Sequence, residues 1–147
     1  MSYHYVDSGL DNVYLENGYI VHQTPYGEGV SIHDTEGLHR MLGDWLVDLP
    51  RPLNGAELRF LRVQMDMTQK TLASIMGEDE QALRRWEKGR NKPIRGSADR
   101  FVRALYKDFM GEDGSIRKMA ERLADLDQVE VVPIRLREDH DHWQIAA

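Results

Sequence analysis

The chain has 147 residues, 41% of them hydrophobic, and a formal net charge of −6. That content supports a folded core in one domain or two small ones, and the absence of cysteine excludes disulfides, thiolate zinc sites and cysteine nucleophiles. No apolar run is long enough to span a bilayer, and the opening MSYHYVDSGLDN lacks the basic start and apolar stretch of an export signal, so the expected compartment is the cytoplasm.

The net charge hides an uneven distribution. Residues 54–107 carry 12 Lys+Arg against 7 Asp+Glu, a net of +5, which leaves −11 for the rest of the chain. A basic segment flanked by acidic ones is expected where one face meets phosphates and the remainder stays soluble.

Residues 1–33 read as β-rich. Tyr3, Tyr5, Val13, Tyr14, Leu15, Tyr19, Ile20 and Val21 fall in short runs broken by Ser8-Gly9, Asn17-Gly18 and Tyr26-Gly27-Glu28-Gly29. Asn17-Gly18 between VYLE and YIVH predicts a two-residue hairpin. A helix is expected from Thr35 to Leu49, with Leu38, Met41, Leu42, Trp45, Leu46 and Leu49 on one stripe, ended by Pro50-Arg51-Pro52.

The next helix starts at Asn54, with Glu57 placed for a capping box and Leu58, Leu61 and Met65 as its buried stripe. Thr68 caps a helix running to Met76, where Gly77 suits the left-handed conformation. Asp79 caps another, ending at Lys88-Gly89. Residues 97–110 read as a helix with Phe101, Leu105 and Phe109 inward, and residues 115–126 as a further amphipathic one. Val129 to Leu136 is a candidate strand, and the closing REDHDHWQIAA reads as a loosely held polar tail.

The helix from Glu80 to Lys88 carries the sharpest chemistry. Ala82, Leu83 and Trp86 have the spacing of a buried face, while Glu80, Gln81, Arg84 and Arg85 point elsewhere. Gln81 and Arg85 are four apart and project from one side. Glutamine pairs in a bidentate way with adenine and arginine with guanine, and Glu80 can accept from a cytosine amino group. An ordinary amphipathic helix with a solvated charged face has the same pattern. The neighbours favour the DNA reading: Thr68-Gln69 offers a polar side chain and free N–H groups at a helix start, and Lys88, Arg90, Lys92 and Arg95 follow in a loop within reach of a phosphate backbone.

Thr68-Gln69, Leu72-Ala73, Gly77, Leu83 and Trp86-Glu87-Lys88-Gly89 together resemble the lambda-repressor/Cro-type (XRE) helix-turn-helix. The resemblance covers about residues 54–110. It implies that Gln69 binds phosphate, that Gln81 and Arg85 read bases, and that Arg62 and Glu87 form an internal ion pair. A narrower one joins YHYVDSGLDNVYLENG, YGEGVSIHD and LNGAELRFLR, which look like the N-terminal module and junction of MqsA-type antitoxin or regulator proteins. Many of those bind zinc through cysteines, of which this chain has none.

The expected fold is therefore mostly α: a five-helix, lambda-repressor-like helix-turn-helix domain over residues 53–127. A small β-rich (α+β) hairpin-plus-helix module over 1–50 precedes it, and residues 128–147 form a strand and tail. Thr68, Gln69, Lys88, Arg90, Lys92 and Arg95 are the expected phosphate contacts; Gln81, Arg85, Glu80 and Arg84 the base readers; Arg62, Glu87, Gly77 and Trp86 structural.

Other clusters read as structural. His33 with His39, and the run Asp139-His140-Asp141-His142, lack helical i, i+4 ligand spacing, so no metal or cofactor is expected. Asp7, Asp11 and Asn12 fit turn chemistry. No phosphate loop, nucleophile elbow or zincin motif marks an enzyme. Tyr3, Tyr5, Tyr14 and Tyr19 read as sheet packing, and Trp45 and Trp86 as core; Trp143 in its polar tail is unassigned. The leading function is a transcriptional repressor binding a palindromic operator as a homodimer. The alternative is an antitoxin whose N-terminal module neutralises a toxin while the helical domain regulates its own operon.

Overall fold

The computed structural model describes residues 2–111, 118 and 133–146. In its N-terminal part β1 (Tyr3–His4) pairs antiparallel with β2 (Tyr14–Leu15), and β3 (Tyr19–Thr24) with β4 (Gly27–Ile32). The expected hairpin at Asn17-Gly18 does not form: that pair joins β2 to β3, which are not partners, and the Gly18 carbonyl accepts instead from His33 N at 2.8 Å. The closing turn lies at Pro25-Tyr26, between the paired Thr24 and Gly27. Burial decides the pairing where turn chemistry leaves a choice. Tyr3, Leu15 and Ile32 lean on the core that holds Tyr5, Leu10 and Val13.

Asp34 caps α1 (Thr35–Val47) by accepting from Gly37 N at 3.1 Å. The buried face of this helix is Gly43, Leu46 and Val47. It is rotated from the expected stripe, which leaves Met41 68% and Trp45 48% exposed, so Trp45 is not a core residue. The expected end at Leu49 also shifts, to Val47, where Asp48 N turns back to Trp45 O and Leu46 O. His39 on α1 sits at the seam between module and helices. Its Nε2 meets Tyr5 Oη at 2.8 Å, the Gln64 amide donates to its Nδ1 at 3.3 Å, and Phe60 packs edge-on against the ring. Burial holds the His39 pKa below the ordinary histidine value.

The helices that follow begin where the sequence signals place them. Asn54 and Glu57 exchange side-chain-to-backbone bonds of 2.9 Å in a complete capping box at the start of α2 (Gly55–Gln64). Thr68 caps α3 (Gln69–Met76) and Asp79 caps α4 (Glu80–Lys88). α5 (Gly96–Met110) buries Ala98, Val102, Leu105 and Tyr106, so Phe101 and Phe109 lie at the edge of its inner face and not at the centre. Leu46, Leu53, Leu58, Leu61, Leu72, Leu83 and Leu105 are wholly buried in one cluster that also takes in the N-terminal Tyr5, Leu10 and Val13.

The C-terminal segment, expected as a polar tail, forms an exposed hairpin. β5 (Leu136–Asp139) pairs with β6 (His142–Ile145), Leu136 opposite Ile145. Its two-residue turn is His140-Asp141, both left-handed at φ 49° and 65°. The dense run of ligand-type residues at 139–142 is thus a turn, and Trp143 stands opposite Glu138, 70% exposed. The expected helix at 115–126 lies outside the described residues, as does most of the candidate strand at 129–136.

Candidate nucleic-acid interface

α3, a short turn and α4 make the helix-turn-helix. Gly77 closes α3 in the left-handed conformation at φ 71°, and Glu78 N returns to Ala73 O at 2.8 Å. Three residues after that glycine, α4 begins. Its inner side is Ala82, Leu83 and Glu87, with Trp86 half-buried beside them. Its outer side presents Gln81, Arg84, Arg85 and Lys88, all exposed. Positions i, i+3, i+4 and i+7 share one face, so these four make a continuous polar and basic stripe two turns long.

What lies behind the stripe holds it rigid. The Glu87 carboxylate accepts from Arg62 Nε at 2.7 Å, Arg62 Nη2 at 2.9 Å and Gln69 Nε2 at 3.1 Å. Arg62 Nη1 also donates to the Met67 carbonyl at 2.8 Å. Burying a charge is costly unless it is paired and hydrogen-bonded, and here three donors compensate one carboxylate while joining α2, the start of α3 and α4. Gly55 fixes the other end of α4. A Cβ there would fall 1.9 Å from the Trp86 carbonyl oxygen, so only glycine lets the start of α2 touch the backbone of the last α4 turn.

The expected phosphate residues divide into two groups. Lys88 and Lys92 are exposed and make no ion pair with another described residue; the same is true of Arg85 on the outer stripe of α4. Thr68 stands exposed at the start of α3, its hydroxyl accepting from Thr71 N at 3.0 Å. Gln69 gives one amide hydrogen to Glu87 and keeps the other. The remainder are engaged within the chain. Arg84 pairs with Glu80 at 2.8 Å one turn away. Arg95 pairs with Glu78 and lies over the Trp86 ring, 5.6 Å from its centre. Arg90 reaches back to the N-terminal turn, to Gly9 O at 2.7 Å and Asp11 at 3.0 Å.

Sequence reasoning missed Lys70, which is exposed in the first turn of α3 beside Gln69. The charge count for residues 54–107 also includes Arg103. That guanidinium instead pairs with buried Asp99 at 3.0 Å and donates to the carbonyls of Val47, Leu49 and Arg51, while Asp99 accepts from Leu53 N at 2.9 Å. The i, i+4 spacing of Asp99 and Arg103 was the available signal. Together they tie α5 to the linker that brings the module onto the helices.

Among the described residues no helix is long and apolar enough to cross a membrane. A family model described as helix-turn-helix matches residues 58–95, the stretch from early α2 to the residue before α5. No curated protein and no solved structure matches the chain. Residues 58–95 thus carry a helix-turn-helix similar to the XRE type, which supports a DNA-binding regulator.

Proposed function

We propose that the protein is a transcriptional repressor that binds a palindromic operator as a homodimer, with α4 in the major groove. The observation that carries this reading is the outer stripe of α4, four long polar side chains over a fully engaged inner face. Gln81 and Arg85 read base edges in bidentate fashion, flanked by Glu80 and Arg84. Thr68, Gln69, Lys88 and Lys92 contact phosphates, and Arg90 and Arg95 do so only by leaving their internal partners. One α4 sees few base pairs, and a second copy about 34 Å away along the DNA supplies the rest of the specificity.

Selection of bound fragments from random DNA, followed by salt titration, tests the proposal. The expected result is an enriched inverted repeat with half-sites about 10 base pairs apart and affinity that falls steeply with salt. Recovery of fragments with no shared sequence would overturn the base-reading role.

A second reading, an antitoxin, draws on the charge of the module. Residues 1–50 carry eight Asp or Glu against a single Arg, a surface suited to a basic protein partner. Salt-sensitive co-purification with the product of an adjoining gene would support it, and independent elution of the two proteins would remove it.

A further inference from the structure

The contact between Arg90 and the N-terminal turn joins the two regions of the molecule through a residue placed to meet DNA. Both of its ends are fixed. On one side Leu10 is 2% exposed in the core, Leu10 N donates to Ser8 Oγ at 3.2 Å, and the Asp11 carbonyl is bonded to His4 Nε2 at 2.7 Å. On the other the Arg90 carbonyl accepts from Ala56 N at 3.1 Å, and Ile94 N from the same loop donates to Leu53 O at 2.9 Å. The backbones are set, and the guanidinium is the part that can move.

Both contacts are made by the same nitrogen, Nη2. A guanidinium clamps a phosphate through two N–H groups on one edge, and Nη2 contributes to each of its two such edges away from the stem. While the Gly9 carbonyl and the Asp11 carboxylate hold Nη2, Arg90 has single donors left but no clamp. Its charge is also neutralised by a carboxylate 3.0 Å away. We propose that Asp11 is a built-in substitute for a DNA phosphate at Arg90, so that the N-terminal module and the operator compete for that residue. The proposal rests on the DNA-binding reading above and adds to it a route by which the module sets DNA affinity.

The pair is half-exposed, so the competition is mild and reversible. The test compares the wild-type chain, Asp11→Asn, Arg90→Ala and the double variant on the selected operator and on random duplex DNA over a range of salt. Asp11→Asn is expected to bind both DNAs about two- to five-fold tighter, the range an exposed ion pair can supply. Its salt dependence should steepen by about 0.9, one additional phosphate contact. In the Arg90→Ala background the Asp11 change should do nothing. Unchanged or weaker binding by Asp11→Asn would overturn the proposal, as would equal tightening without Arg90, which would indicate a general charge effect. Melting curves establish that each variant folds, and Asp11→Ser is a second route if the amide does not. A wild-type chain that binds neither DNA defeats the DNA reading and the proposal with it; wild-type binding that ignores Asp11 defeats the proposal alone.

Discussion

The helix-turn-helix and the N-terminal module are held together in different ways. In the former every helix from α2 to α4 has its own side-chain cap, and one carboxylate, Glu87, gathers donors from two other elements. In the latter two strands are only two residues long, and a few anchors do the holding: Tyr5, Leu10 and Val13 in the core, and His39 between Tyr5 and Gln64. A helix end is marked by groups within one turn of it, whereas a short strand exists only if its partner and its buried face are both in place. α4 therefore sits in the part whose helix ends are fixed locally, and the module joins the same core through a few anchors.

That contrast can be broken most forcefully at Glu87's partner. Arg62→Ala leaves a buried carboxylate with only Gln69 to compensate it and should cost about 3 kcal/mol of stability in chemical denaturation. A loss near zero would mean that the helices do not depend on this junction. Gly55→Ala comes next. Its Cβ meets backbone and not a flexible side-chain end, so α2 and α4 must separate, at a cost of about 1–3 kcal/mol. An unshifted melting temperature would place the two helices farther apart than the structure has them.

The seam gives a smaller, pH-dependent effect. His39 has a lowered pKa in the folded chain, so as pH falls through the ordinary histidine value near 6.5 the unfolded chain takes up the proton first. Stability should then fall with pH from that point down toward the folded value, by at most about 1.4 kcal/mol per unit for one proton. His39→Gln should flatten that part of the curve relative to wild type. Parallel curves for the two proteins would show that the seam histidine is not buried in solution.

The same contrast explains what was legible in the sequence. Asn54 with Glu57, Thr68, Gly77 and Asp79 announce helix ends because their chemistry lies within one turn of the chain, and the structure uses each of them so. Asn17-Gly18 is as strong a local signal for a hairpin. It failed because β2 finds its partner in β1, near the chain start, and Tyr3 and Leu15 reach the core only in that pairing. Trp45 was misplaced because an apolar stripe marks a side of a helix but not which part of it the neighbours cover. At the interface, the exposed face of α4 could be read from spacing alone. Which arginines are free could be read only in part: Arg84 and Arg103 have carboxylates four residues away, but Arg90 and Arg95 find their partners 17 to 81 residues away.

The central claim is that Arg85 reads a base while Lys92 meets only phosphate, and one set of binding curves tests it. Arg85→Ala and Lys92→Ala would each be titrated against the selected operator and random duplex DNA at several salt concentrations. Arg85→Ala should lose about 1–3 kcal/mol on the operator, far more than on random DNA, and relax the preference at one operator position. Lys92→Ala should weaken both DNAs alike and reduce the salt slope by about one. An equal loss on both DNAs for Arg85→Ala would contradict the account.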